Sequence, residues 1–212
     1  MTIHTNTVTP AMLEIAQAIS KNFGAPYYLG GGTALALHIG HRKSVDLDYF
    51  SKEPIDTASL KKQLTDSFGD VEVTFEEKNT LWTTIDGVKV SFISRFETLL
   101  DEPIHTDGLV LAGVRDITIM KLNVLCGREE YKDYFDLACL TQHTDIRSWM
   151  SWWEAVYPNQ DATSWLVALG AVGSVPSVPL ETSEAYENAS VSDTLLQAAR
   201  DITKHAERML GG

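Results

Sequence analysis

The sequence predicts an α+β protein: a small mixed β-sheet with flanking helices over residues 1–112, then a helical domain over residues 113–212. Three observations carry this. Tyr27-Tyr28-Leu29, a glycine triplet, an apolar helix start at Thr33 and a strand-like run at 45–50 follow one another. Three β-like runs come next, at 71–77, 81–86 and 88–92, and Asp86-Gly87 between the last two is a strong hairpin signal. From Arg115 onward the apolar spacing becomes helical.

Each element has a local reason. Thr9 suits an N-cap, Pro10 the first helical position and Gly24 the end of a helix over 10–22. Tyr27-Tyr28-Leu29 is aromatic and apolar, as the end of a buried strand should be. Gly30, Gly31 and Gly32 can adopt positive φ and let the backbone approach a ligand closely. In the strand at 45–50 the period of two puts Asp46 and Asp48 on one face, with Val45, Leu47 and Tyr49 on the other. Asp56-Thr57 opens a helix running to Phe68, and Asp107-Gly108 precedes a short strand at 109–112. Were 120–140 one helix, Lys121, Arg128 and Lys132 would share a face; alternatively Gly127 breaks it into two arms. Residues 170–182, rich in Gly, Pro and Ser, read as a loop or linker. A last amphipathic helix over 192–209 has Leu195, Leu196, Ala199, Ile202, Ala206 and Met209 as its stripe.

Composition narrows the function. The 212 residues carry a net charge of −12, and each half carries −6, so no basic domain hides behind the total. Broad binding along a phosphate backbone is disfavoured, and His41-Arg42-Lys43 is the best candidate for a small basic patch. No apolar run is long enough to span a bilayer, and the first eight residues lack a signal-peptide pattern. A cytoplasmic location is therefore expected. Cys126 and Cys139 are expected to be buried, reduced thiols.

Phosphate chemistry is the reading that suits the glycine turn and the two acids. N–H groups at a helix N-terminus form an anion site, so Gly31, Gly32 and Thr33 are candidate phosphate ligands, with the Thr33 hydroxyl as a further donor. Asp46 and Asp48 at i and i+2 are candidate ligands for Mg²⁺ or Mn²⁺, whose shell is completed by water and phosphate oxygens. Alone, a glycine triplet is more often a turn, and an Asp-x-Asp pair more often a solvated strand face.

In this order and spacing the motif resembles the AbiEii/AbiGii-type nucleotidyltransferases of the DNA polymerase β-like superfamily. A second block strengthens the resemblance: Asp116-Ile-Thr-Ile-Met-Lys121, then Arg128, then Lys132-Asp133-Tyr134-Phe135-Asp136-Leu137. The resemblance covers residues 10–142 and implies a polymerase β-like core with a helical domain completing the cleft. It implies Asp46, Asp48 and Lys121 as catalytic residues, with Lys89, Arg128, Lys132 and Asp133 added to the nucleotide-binding set. Substitution Lys121→Ala is expected to weaken nucleotide binding and spare the fold. The substrate implied is a nucleoside triphosphate, and the acceptor is an RNA end, a protein or a small molecule. An antitoxin protein is the partner that the resemblance implies.

The chain departs from the family pattern at one place. Where a later strand usually carries a third carboxylate, Gly87-Val88-Lys89-Val90-Ser91-Phe92 has Ser91. That acid helps to bind metal and to activate the attacking hydroxyl. The rival expectation is thus a non-catalytic module on the same fold, binding nucleotide or a partner protein. His38 reads as a residue packed near the core, and His41 as a base or phosphate contact. Trp149, Trp152 and Trp153 could stack bases, but their helical spacing suits core packing.

Overall fold

The computed structural model describes residues 2–95, 97–187 and 190–210. The chain forms two compact units, residues 1–113 and 114–212.

The first unit is built on one mixed seven-stranded sheet. Its strands are β1 (Tyr27–Leu29), β2 (Asp46–Ser51), β3 (Val71–Glu77), β4 (Thr80–Ile85), β5 (Val88–Ser94), β6 (Ile104–Thr106) and β7 (Leu109–Leu111). Their spatial order is β3-β4-β5-β2-β1-β7-β6. The β2–β5 and β1–β7 pairs are parallel and the rest antiparallel. The hairpin predicted at Asp86-Gly87 forms, and Asp107-Gly108 closes a second one that the sequence reading did not predict: Asp86 and Gly87 have φ of 48° and 77°, and Asp107 and Gly108 have 49° and 77°. These are the left-handed conformations that a two-residue turn between twisted strands requires. β6 is an addition to the sequence reading, since three residues are too few to show a period.

Three helices belong to this unit: α1 (Pro10–Phe23), α2 (Gly31–Ile39) and α3 (Thr57–Phe68). Thr9 caps α1 by accepting from the Met12 N–H, and Asp56 caps α3 by accepting from Ala58 and Ser59. α1 buries Met12, Ile15, Ala16 and Ile19, and the Tyr49 hydroxyl donates to the Ala16 carbonyl at 3.2 Å. α3 packs Leu60 and Leu64 against β3 and β4. One sheet face is therefore the core face, where Leu47, Tyr49, Leu81, Ile85, Val90 and Phe92 are buried. The period of two sends Asp46 and Asp48 to the other face.

The second unit holds α4 (Val114–Leu125), α5 (Tyr131–Leu140), α6 (Trp149–Val156), α7 (Thr163–Gly170) and α8 (Val191–Leu210). Trp149, Trp153 and Trp165 are fully buried in it, so the first two are core residues and not base contacts. The indole N–H of Trp149 donates to Thr144 Oγ1 at 2.9 Å, and that of Trp153 to the Gln160 carbonyl at 3.2 Å. Trp152 is half-buried, under the Arg115 guanidinium. α8 buries Val191, Leu195, Ala198 and Ile202; the Met209 side chain lies outside the described residues. α4 stops at Leu125, which leaves Cys126 exposed where a buried thiol was expected, whereas Cys139 is buried.

Candidate functional site

The glycine turn is tied to the acidic strand by close contact. Gly31 has φ of +62°, and a Cβ built there would lie 2.9 Å from Asp48 Oδ2. Glycine is thus required twice, by the left-handed backbone and by the carboxylate lodged against it. The Gly30 N–H donates to the Asp48 carbonyl at 2.8 Å, which fixes the start of α2 beside β2. The N-cap residue of α2, Gly30, makes no side-chain cap, and Gly31, Gly32 and Thr33 form a helix N-terminus next to Asp48. The C-terminal end is closed by Gly40 in the left-handed region, φ +66°.

Thr33 differs from expectation in its side chain. It is buried; its hydroxyl lies 2.6 Å from Ser44 Oγ and donates to the Asp46 carbonyl. The hydroxyl braces α2 against the entry to β2, which leaves the Thr33 backbone as the candidate phosphate ligand.

Across the sheet, β2 and β5 run parallel with Asp46 opposite Lys89 and Asp48 opposite Ser91. All four therefore project from one face. The Ser91 hydroxyl donates to Asp48 Oδ1 at 2.6 Å. Asp48 thus has one oxygen held by Ser91 and the other against Gly31. Among the described residues no group of three His, Cys, Asp or Glu side chains forms a metal cluster. The acids available on this face of β2 are Asp46 and Asp48.

The basic triplet does not make a patch. His41 is fully buried and Arg42 nearly so, which removes His41 as a base contact; Lys43 is exposed. His38 is buried on α2, and its Nε2 lies 2.8 Å from the Ala112 carbonyl. Acting as the donor there, Nε2–H leaves Nδ1 as a buried nitrogen with no hydrogen-bond partner. Burial lowers the His38 pKa against the opposing pull of that hydrogen bond.

In the helical unit the second motif closes on itself. The chain turns between α4 and α5, with Gly127 N–H bonded to the Val124 carbonyl, so the two-armed reading of 120–140 holds. Lys121, 5% exposed, places Nζ 2.7 Å from Asp133 Oδ1 and 2.6 Å from Asp136 Oδ2. Burial disfavours the ammonium, but Asp136 and Asp133 outweigh it and hold its pKa above the ordinary lysine value. Arg128 reaches the second oxygen of Asp133 at 3.1 Å, and Lys132 pairs with Glu130 at 3.1 Å. The Arg128 and Lys132 side chains remain 49% and 38% exposed, so their cationic heads can meet solvent or an anion. The two buried carboxylates around Lys121 also revise the expectation that Lys121→Ala spares the fold.

The family model "Nucleotidyl transferase AbiEii toxin, Type IV TA system" matches residues 16–210. The chain belongs to the AbiEii nucleotidyltransferase toxin family. An uncharacterized protein of Aquifex aeolicus is 35% identical over 127 residues, which is 58% of this chain and 61% of the relative. The match thus spans less than two thirds of that relative's length. Two solved structures share the fold. JHP933 from Helicobacter pylori has a TM-score of 0.53 at 18% identity, covering 94% of each chain. MenT4, a nucleotidyltransferase toxin from Mycobacterium tuberculosis, has a TM-score of 0.56 at 15% identity, covering 91% of this chain and 82% of its own.

Within this family member the sequence missed how Asp48 is supported. The short bonds from Ser91 and Gly30 depend on strand register, which no local pattern states. It also passed over Trp82. The signal was present: in Leu81-Trp82-Thr83-Thr84-Ile85 the buried residues alternate, and a tryptophan stands among the others.

Proposed function

We propose that this chain transfers a nucleotide from a nucleoside triphosphate to an acceptor hydroxyl, with a divalent cation, as the toxin half of a toxin–antitoxin pair. The observation that supports it best is the Asp48 carboxylate seated against Gly31 at the start of α2, with Asp46 on the same face of β2. Hard carboxylate oxygens suit Mg²⁺ or Mn²⁺, and Mg²⁺ commonly uses one or two carboxylates besides phosphate and water. Asp46 and Asp48 would hold it. When bound, the cation supplies charge neutralisation on the phosphates.

The remaining work falls to the chain's own groups. Backbone N–H groups of Gly31, Gly32 and Thr33 bind phosphate oxygens, and Lys89, exposed opposite Asp46, offers a further cation. In the helical unit Arg128 and Lys132 have the exposed heads that suit triphosphate oxygens, and Lys121 positions α5 through Asp133 and Asp136. The acceptor oxygen bonds to the α-phosphorus as the bond to the bridging oxygen breaks. Pyrophosphate leaves, and the hydroxyl proton passes to water. Ser91 is a poor base at neutral pH. Lacking a general base costs about 10²–10⁴-fold in rate, so transfer is slow. A supply of nucleoside triphosphate places the activity in the cytoplasm, with an RNA end, a protein or a small molecule as acceptor.

Ser91 also favours a second reading, a non-catalytic module that binds nucleotide or a partner. Incorporation of labelled nucleotide at matched Mg²⁺ separates the two, using wild type, Asp48→Asn and Ser91→Asp. The transferase reading expects slow wild-type transfer, loss in Asp48→Asn and acceleration in Ser91→Asp. Metal-dependent nucleotide binding without transfer in any of them selects the module. Growth arrest on expression, relieved by a cognate antitoxin, is the expected cellular counterpart.

A further inference from the structure

Two aromatic rings share the sheet face of the carboxylates. β4 pairs with β5 so that Trp82 stands opposite Ser91, and β3 pairs with β4 so that Phe75 stands opposite Trp82. With Ser91 opposite Asp48, the positions Phe75, Trp82, Ser91 and Asp48 form one row across four strands. At about 4.8 Å per strand, Trp82 starts roughly 10 Å from Asp48. The rings of Phe75 and Trp82 lie 4.8 Å apart and are tilted by 43°. They are 40% and 46% exposed, although Leu81, Thr83 and Ile85 between and beside them are buried on the core face. Of the other tryptophans, three are fully buried and Trp152 is half-buried.

The order of strands gives this platform a direction. β1, which leads into the glycine turn, lies on one side of β2, and β5 and β4 lie on the other. A phosphate held by Gly31 and Gly32 therefore sits toward β1. An in-line displacement places the attacking and leaving oxygens on opposite sides of phosphorus. With pyrophosphate leaving toward the glycine turn, the acceptor approaches over β5 and β4. We propose that Trp82, supported by Phe75, is a stacking platform for the nucleobase of the acceptor. This rests on the transferase reading.

Charge and edge chemistry narrow the occupant. Glu72 and Glu77 on β3 share this face, in register with Thr84 and Thr80. They disfavour a long phosphate tract and suit a single nucleoside, which stacks on an aromatic ring through either face of its base. A second copy of the chain is a poor occupant. β3 is an edge strand with three glutamates and a bulge between Val73 and Phe75, features that block edge pairing.

The test uses the full chain at saturating Mg²⁺ with adenosine, cytidine, guanosine and uridine as probes, their binding measured by calorimetry in every variant and also by quenching of tryptophan fluorescence in wild type. ATP and CTP affinities are measured in parallel by calorimetry. Wild type binds at least one nucleoside with quenching, and Trp82→Ala weakens that binding about ten- to a hundredfold. Trp82→Phe recovers most of it, and triphosphate affinity moves by less than twofold. A Trp82→Ala loss that falls on the triphosphate instead assigns the platform to the donor and overturns the inference. Triphosphate binding without nucleoside binding overturns it while the transferase reading stands. If neither ligand binds, both fall. A wild-type dimer that Trp82→Ala turns into a monomer gives the face to a second copy and also overturns it.

Discussion

Replacing Lys121 with alanine removes a cation that lies within 2.7 Å of both Asp133 and Asp136, two side chains with no solvent exposure. Removing one partner of a buried ion pair costs about 3–5 kcal/mol, because the charge left behind stays desolvated. Arg128 still reaches Asp133 at 3.1 Å, whereas Asp136 loses its 2.6 Å contact with Lys121. With a urea dependence of about 2 kcal/mol per M, the unfolding midpoint of the helical unit should fall by roughly 2 M. Far-UV circular dichroism through a urea titration reads it. Joint replacement Lys121→Met with Asp136→Leu should recover a good part, since the buried carboxylate that faced Lys121 is removed with it. The linkage with pH has a fixed sign. The folded pKa of Lys121 is raised, so its contribution is fully present below the ordinary lysine pKa, about 10.4. It is lost as pH rises through the folded value. Wild type and Lys121→Ala should therefore converge only in strong alkali. A midpoint shift worth less than about 1 kcal/mol at pH 7 would refute the buried-triad account and return Lys121 to the role of a surface cation.

Two further outcomes follow from positions in the first unit. Gly31→Ala should lose about 1–2 kcal/mol to its positive φ and displace the Asp48 carboxylate it meets at 2.9 Å. Its Mg²⁺-dependent ATP affinity should drop well beyond that of Gly127→Ala, where an added Cβ meets nothing closer than 4.0 Å; equal losses in the two would remove the special role of Gly31. His38, whose pKa is lowered by burial, stabilises the fold as the neutral ring. Its contribution is present above the unfolded pKa of about 6.5 and declines as pH falls through it. Urea midpoints taken from pH 7.5 to pH 5 should fall more steeply for wild type than for His38→Gln, and parallel slopes would count against it.

What the sequence made legible is what short-range geometry decides. Thr9, Asp56 and Gly24 mark helix ends because capping involves neighbours within a turn. Asp46 and Asp48 share a face because a strand has a period of two, and the Asp86-Gly87 turn shows itself in two residues. The misjudged residues depend on distant partners. The Thr33 hydroxyl is taken up by Ser44 and by the Asp46 carbonyl, 11 and 13 residues on. His41 and Arg42 look basic and exposed in a list of residues, yet both are buried in the fold. Lys121 meets Asp133 at a separation of 12 only because the chain turns between α4 and α5, which brings the second helix back across the first. Ser91 was legible as an absence, a hydroxyl where an acid was expected. Its 2.6 Å bond to Asp48 spans 43 residues and needs the parallel register of β2 and β5.

The turn at Asp86-Gly87 has a reach beyond the hairpin it closes. It sets the parity of β5 relative to β4, and so decides which residues of both strands look toward Asp48. One residue added there could let either strand slip by one position. Val90 and Thr83 would then come to the surface, while Ser91 and Trp82 would be driven into the packing beneath. The apolar cost of that exchange guards the present arrangement. A relative that keeps every named side chain but lengthens this loop should be expected to lose the row of Trp82, Ser91 and Asp48, so loop length here is as telling of shared chemistry as the residues themselves.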